Sequence, residues 1–226
     1  MLKTKHTKPF VVLCFGDSNT HGTPPMAHVG DLDRFPSDIR WPGVVQSKLG
    51  DQVQIIEEGH PGRTTVFDNP AASGNKSGLA ALPIILESHR PLDCIIMMLG
   101  TNDLHAHLGT SAWLVANNMR QLIDVTQTSP CGPTKGATPI ILLISPPHIN
   151  EKGFAAEPLA GAEKKSRELA RHFERLAQET GVEYLDAAKV IEPAVLDGIH
   201  LDEEAHAHLG RAVADKLLSI INTSVD

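Results

Sequence analysis

The chain has 226 residues, of which 41% are hydrophobic and 21% are charged, a composition typical of a globular protein with one substantial core. Its formal net charge of −7 argues against nucleic-acid binding, because a nucleic-acid surface needs a basic patch. No stretch approaches the roughly 18 apolar residues of a spanning helix, and the apolar run near the N-terminus is too short for a signal peptide.

Five short apolar segments predict strands covered on both faces, because they lack polar alternation. They are residues 10–17, 52–59, 93–100, 139–146 and 182–188. Helical patterns occupy residues 41–50, 77–89, 111–129, 157–181 and 202–222, with Ser111 and Asp202 as expected N-caps. This alternation predicts a three-layer α/β/α fold, with a flavodoxin-like doubly wound sheet of about five parallel strands.

We interpret residues 1–226 as a single domain whose core spans about 10–222. Two stretches interrupt the alternation: residues 21–40, an insertion rich in prolines and acids, and residues 130–138. Loops of this length in a compact domain are often functional.

The cysteines and tryptophans are assigned to packing. Cys14 and Cys94 lie inside apolar runs, and Trp41 and Trp113 are also interpreted as packing residues. Three cysteines cannot all pair, so the chain shows no disulfide framework, which favours a reducing compartment. We therefore expect a cytoplasmic protein that binds neither membranes nor nucleic acid.

Ligands of open α/β sheets bind beyond the carboxyl ends of the strands, so the residues at those positions are candidates for a site. Ser18 follows the first strand, Gly62 the second and Asn102 the third. Asp197 and His200 come just before the last helix. This edge therefore offers a hydroxyl, a glycine amide, a carboxamide, an acid and an imidazole.

These groups complement one another in acyl transfer. A serine becomes a nucleophile when a histidine takes its proton, and an acid fixes the tautomer of that histidine. Asp197, three residues before His200, can reach back to it. The amides of Ser18 and Gly62 and the carboxamide of Asn102 are candidate donors to an oxyanion.

Each residue also has a structural interpretation. Ser18 is an ordinary turn residue when taken alone, Asn102 an Asx-turn residue, and Asp197 with His200 a capping turn. A non-catalytic, flavodoxin-like small-molecule-binding module is the rival function, although the first strand-to-helix turn lacks G-x-G-x-x-G. The local string G-D-S-N-T also lacks the second glycine of the G-x-S-x-G elbow of α/β-hydrolases.

Four blocks of the sequence resemble the SGNH hydrolases, also called GDSL esterases and lipases. They are "FGDSNTHG", the glycine of "GHPGRTT", "GTND" and "DGIHLD", in the family's order over residues 10–205. The resemblance implies the SGNH hydrolase fold, with Ser18 as nucleophile, His200 as base and Asp197 as its orienting acid. It also implies an oxyanion hole formed by the Ser18 and Gly62 amides and Asn102.

The longer strings around these blocks are most similar to the oligomeric arylesterase and acyltransferase branch from bacteria. This resemblance implies a homo-oligomeric serine esterase that hydrolyses short-chain, acetyl-type esters of aryl, alkyl or sugar alcohols through an acyl-enzyme. A small alcohol in place of water would give acyl transfer. The resemblance further implies that the insertion 21–40 contributes to subunit contacts and a restricted entrance.

No cofactor is expected, and no metal either, since His206 and His208 lie two apart in a helical pattern and point to different faces. Asp17, Asn19, His21, Arg63 and His105 are assigned as substrate contacts. For Arg63 we favour the alternative that it holds its own loop. Asn19 and His21 stand where many members of the branch carry a larger apolar residue, which leaves acyl size and alcohol preference open.

Overall fold

The computed structural model describes residues 8–28, 30, 33–69 and 74–223. Its five strands form one all-parallel sheet in the order β2-β1-β3-β4-β5, which confirms the predicted α/β fold. The strands are β1 (Phe10–Gly16), β2 (Val53–Gly59), β3 (Cys94–Met98), β4 (Ile140–Ser145) and β5 (Glu183–Asp186). Positions 29, 31 and 32 of the insertion 21–40, and both ends of the predicted domain 1–226, lie outside the described residues.

Strand register brings three strand ends level with one another. Gly16, the last residue of β1, pairs with Gly59 at the end of β2 and with Met98 at the end of β3. The segments that follow these strands therefore leave the sheet side by side. This edge carries most of the predicted site residues.

Six α-helices lie between or after the strands within the described residues. They are α1 (Ser18–His21), α2 (Trp41–Leu49), α3 (Gly78–His89), α4 (Ala112–Thr128), α5 (Ala162–Thr180) and α6 (Glu203–Thr223). Ser111 accepts from the Leu114 amide and Asp202 from the Ala205 amide, so both expected N-caps are present. None of the described helices is long and apolar enough to cross a membrane.

Alternate residues of the strands enter two separate cores. Leu13 and Phe15 of β1 pack beneath α3, α4 and α5, while Val12 and Cys14 pack beneath α2 and α6. Every one of these strand residues is fully buried, as expected for a sheet covered on both faces. Cys14, Cys94 and Cys131 are all buried and unpaired.

Two elements differ from the sequence prediction. Helix α5 begins at Ala162 rather than at 157, because Gly161 has a φ of 82°, which lies outside the right-handed helical region. The four-residue α1 is not among the predicted helices, because a helix this short leaves no periodic pattern. Trp113 is 61% exposed, so its assignment to packing is wrong, whereas Trp41 is buried as predicted.

Candidate active site

Ser18 is the first residue of α1, directly beyond the end of β1. The Asp17 carboxylate accepts from the Asn19 amide and so caps the helix, and Gly22 ends it in the left-handed conformation. Ser18 is 7% exposed, so most of its surface is covered by neighbouring residues. The strand-to-helix turn thus holds the hydroxyl at the sheet edge.

The structure joins Ser18, His200 and Asp197 in one hydrogen-bonded chain. The His200 Nδ1–H donates to Asp197 Oδ2 over 2.7 Å, since a carboxylate can only accept. This tautomer leaves Nε2 as the acceptor for the Ser18 hydroxyl, 3.1 Å away. The predicted nucleophile, base and acid, which come from opposite ends of the chain, therefore lie in the order that proton transfer requires.

Asp197 is held as an anion by a dense set of donors. Besides His200 Nδ1, its oxygens accept from the backbone amides of Met26, Ile199 and His200 at 2.8 to 3.0 Å. Burial alone would raise the pKa of this carboxyl, but the bonds from His200 and Met26 outweigh it and lower the pKa to about 2. The acid is therefore charged throughout the neutral range.

The segment that follows β2 lies against the segment that follows β1. The His60 amide donates to the Gly16 carbonyl over 3.0 Å, and Gly62 takes a φ of 79°, which suits glycine. Within the described residues, neither the Ser18 nor the Gly62 amide donates to another backbone group. Both amides are thus available as hydrogen-bond donors.

Asn102, which opens the 3₁₀ turn Asn102–Leu104 after β3, connects to the same loop. Its Nδ2 donates to the Arg63 carbonyl over 3.1 Å. A carboxamide nitrogen carries two protons, so this bond fixes the side chain and leaves one proton for a ligand. The next residue, Asp103, is fully buried and accepts from the amide and hydroxyl of Thr65, which ties this turn to the Gly62 loop.

Three of the predicted substrate contacts are buried side chains. Asp17 and Asn19 are 1% and 0% exposed, and their side chains bond to backbone groups. The Arg63 guanidinium is also buried, where it donates to the Gly16 and Glu58 carbonyls and lies 4.3 Å above the Phe15 ring. Burial and these bonds suit a supporting role for Asp17 and Asn19, whose substrate contacts stay predictions, and for Arg63 the structure favours the loop-holding alternative.

His21 and His105 are half-buried. His21 shares a hydrogen bond with Thr23 over 3.3 Å, and burial together with Arg34 and Arg40 lowers its pKa. His105 lies just beyond the Asn102–Leu104 turn, with its ring 5.5 Å from that of His107. Their proposed substrate contacts remain predictions.

Sequence reasoning missed two parts of the site. The Met26 backbone amide donates to Asp197, and a backbone contact of this kind cannot be predicted from a pattern of side chains. Lys76 packs beside Gly62, and its ammonium donates to His60 Nε2 over 3.0 Å. Burial and the nearby Lys76 and Arg63 lower the pKa of His60, so the imidazole is kept neutral as an acceptor.

The chain matches a known protein family over most of its length. Residues 14–208 match the model of the GDSL-like lipase/acylhydrolase family. A comparison with curated proteins gives no match.

Several solved structures share both sequence and fold with the chain. Est24, a carbohydrate acetylesterase from Sinorhizobium meliloti, is 37% identical, with a TM-score of 0.88 over 93% of this chain and 99% of that one. The native aryl esterase of M. smegmatis is also 37% identical, with a TM-score of 0.87 over 92% and 98% of the two chains. A second carbohydrate acetylesterase family member from S. meliloti is 32% identical, with a TM-score of 0.87 over 94% and 99%.

Proposed function

Because the chain belongs to the GDSL-like lipase/acylhydrolase family and is a carboxylic ester hydrolase, we propose that Ser18, His200 and Asp197 are its catalytic triad. The observation that carries this proposal is the continuous hydrogen-bonded chain from the Ser18 hydroxyl through His200 to Asp197. A capping turn would not need this order of donors and acceptors. The ester carbonyl binds at the sheet edge beside Ser18.

Acylation begins when Ser18 Oγ attacks the carbonyl carbon while His200 Nε2 takes the hydroxyl proton. Asp197 stabilises the imidazolium that results. The negative charge on the carbonyl oxygen is met by the Ser18 and Gly62 amides and the free proton of Asn102 Nδ2. Collapse of the tetrahedral intermediate transfers the proton from His200 to the leaving alcohol and leaves an acyl-enzyme.

Deacylation repeats these steps with water as the nucleophile, and His200 again acts as the base. A small alcohol that replaces water regenerates an ester, so acyl transfer is a second outcome at the same site. The ratio of ester to acid formed, measured at increasing alcohol concentration, tests this partition.

We propose that the substrates are short-chain, acetyl-type esters of aryl, alkyl or sugar alcohols. Support comes from the relatives, which include carbohydrate acetylesterases and an aryl esterase. A panel of aryl and sugar esters with acetyl, butyryl and octanoyl groups tests acyl size and alcohol preference separately. A preference for octanoyl over acetyl would contradict this substrate class.

The test of the triad is the intact mass after brief exposure to a fluorophosphonate, with a Ser18→Ala variant alongside. We expect a single adduct on the parent, none on the variant, and a fall in kcat of several orders of magnitude with thermal unfolding unchanged. Ser111→Ala is a matched control, since Ser111 caps α4 outside the site and should leave labelling intact. Labelling of Ser18→Ala at the parent's rate would contradict the assignment.

We propose further that the protein is a homo-oligomer of the cytoplasm. Val195 and Leu196, 76% and 53% exposed beside Asp197, are apolar side chains that a second copy would cover. Three buried, unpaired cysteines suit a reducing compartment. A light-scattering mass equal to that of one chain would contradict the proposed homo-oligomer.

A further inference from the structure

Asn19 bridges the segment of the nucleophile and the segment of the base. Its Nδ2 donates to the Ile199 carbonyl over 3.2 Å, and its Oδ1 accepts from the Leu201 amide over 3.2 Å. The two partners fix the orientation of the carboxamide, since a carbonyl can only accept and a backbone amide can only donate. One side chain thus binds the peptide groups on both sides of His200.

The contacts between His200 and Asp197 cannot replace this bridge. Asp197 lies three residues before His200 in the same segment, so it orients the ring within that segment but does not join the segment to Ser18. Asn19 follows Ser18 directly and reaches a segment about 180 residues further along the chain. It is fully buried, so water does not compete for these bonds.

We propose that Asn19 is a positioning residue that fixes the His200 imidazole relative to the Ser18 hydroxyl. This inference rests on the proposed function, since it assigns a task to Asn19 within that triad. A misplacement of about 1 Å in a catalytic contact can lower a rate about 100-fold. The Ser18–His200 distance of 3.1 Å leaves little room for such a shift.

The first test is Asn19→Leu, which keeps the branched shape of the side chain, is larger, and removes both hydrogen bonds. We expect kcat for an acetyl ester to fall about 10- to 100-fold, with KM changed less than about threefold, because the base is displaced while the ester site remains. Fluorophosphonate labelling of Ser18 should slow by a similar factor. The control is Asn118→Leu, the same change at a buried asparagine of α4, which contributes no residue to the site.

The second test, Asn19→Asp, separates positioning from general stability. A protonated carboxyl has the shape of the carboxamide and can still donate to the Ile199 carbonyl, whereas the carboxylate repels that oxygen. Burial favours the protonated form at low pH. We therefore expect the kcat of Asn19→Asp to approach that of the parent at low pH and to fall increasingly below it as the pH rises from about 5 to 9.

Three outcomes overturn the proposal. One is parental kcat and labelling in Asn19→Leu, and another is an equal loss in Asn118→Leu. The third is a kcat of Asn19→Asp that stays a constant fraction of the parental kcat at every pH. This comparison can be made even if Asn19→Leu does not fold. A parent that neither labels nor hydrolyses esters would instead contradict the proposed function, so the two failures are distinguishable.

Discussion

The backbone amide of Met26 donates to Asp197 Oδ2 over 2.8 Å, so the loop after α1 reaches the acid that orients His200. The same oxygen accepts from His200 Nδ1. The loop is anchored at its base, where Arg34 and Arg40 pair with Glu57 of β2. The insertion therefore contacts the proposed triad directly through Met26, in addition to any contact with substrate or with a second subunit.

Met26→Pro removes this donor without changing a triad side chain. Since this bond lowers the pKa of Asp197, its loss should raise that pKa and reduce kcat about tenfold, with a smaller effect on KM. Kinetics from about pH 4 to pH 9 should show the largest deficit at the acid end. Met26→Leu retains the amide and serves as the control, and an equal loss in both variants would assign the effect to the side chain.

Asn102→Ala removes one of the three proposed donors to the oxyanion. We expect kcat to fall about 10²- to 10³-fold with KM almost unchanged, because the bond strengthens as charge develops on the carbonyl oxygen. The bond to the Arg63 carbonyl is lost as well, so thermal unfolding must be measured in parallel. A rise in KM at constant kcat would instead mean that Asn102 binds the substrate and the transition state equally well.

Gly62→Ala tests whether this loop positions a catalytic amide. A residue with a side chain is strained at a φ of 79°, which costs about 1–2 kcal/mol, although the added Cβ would sit 3.5 Å from Lys76 Cε without a clash. Gly136→Ala is the matched control, because Gly136 has a φ of 82° and open space around it in the loop before β4. Both variants should lose similar stability, and kcat should fall only in Gly62→Ala.

The free energy of unfolding should depend on pH through the titration of Asp103. Burial raises its pKa from 3.8 to about 6, despite the bonds from Thr65, so the folded protein holds a proton that the unfolded chain releases between about pH 4 and 6. The stabilising contribution of Asp103 is therefore complete below about pH 4 and is lost as the pH rises through about 6. A shift of this size corresponds to at most about 3 kcal/mol.

Asp103→Asn removes this titration. Urea unfolding at a series of pH values should show the variant least stable relative to the parent near pH 4, with the gap narrowing towards pH 7. A constant gap over this range would mean that Asp103 keeps an ordinary pKa in the folded protein.

The sheet and most helices were predictable from local pattern. The strands stand out because residues covered on both faces leave unbroken apolar runs, and Ser111 and Asp202 mark helix starts by their own chemistry. The buried residues of α4 also form a stripe along one side of the helix, which includes Val115, Met119 and Leu122. Trp113 lies off that stripe, so its exposure follows from the same helical pattern.

The candidate triad was predictable from residue type and order, whereas its supports were not. The residue types of Ser18, Asp197 and His200 and their order in the sequence are enough to identify a candidate triad. The Asn19 side chain binds backbone groups, and the Met26 backbone amide binds the Asp197 carboxylate, in each case far along the sequence, and such contacts leave no spacing pattern. Both residues become interpretable only once the three-dimensional neighbours of segment 197–201 are known.

The wide separation of Ser18 and His200 has a consequence for biosynthesis. Ser18 is synthesised before His200, which comes just before α6, and α6 packs against α2 to complete one of the two cores. A nascent chain that ends before His200 contains Ser18 without the histidine proposed to take its proton. The proposed triad therefore assembles only after His200 and α6 have been synthesised, and a product truncated before His200 should lack esterase activity.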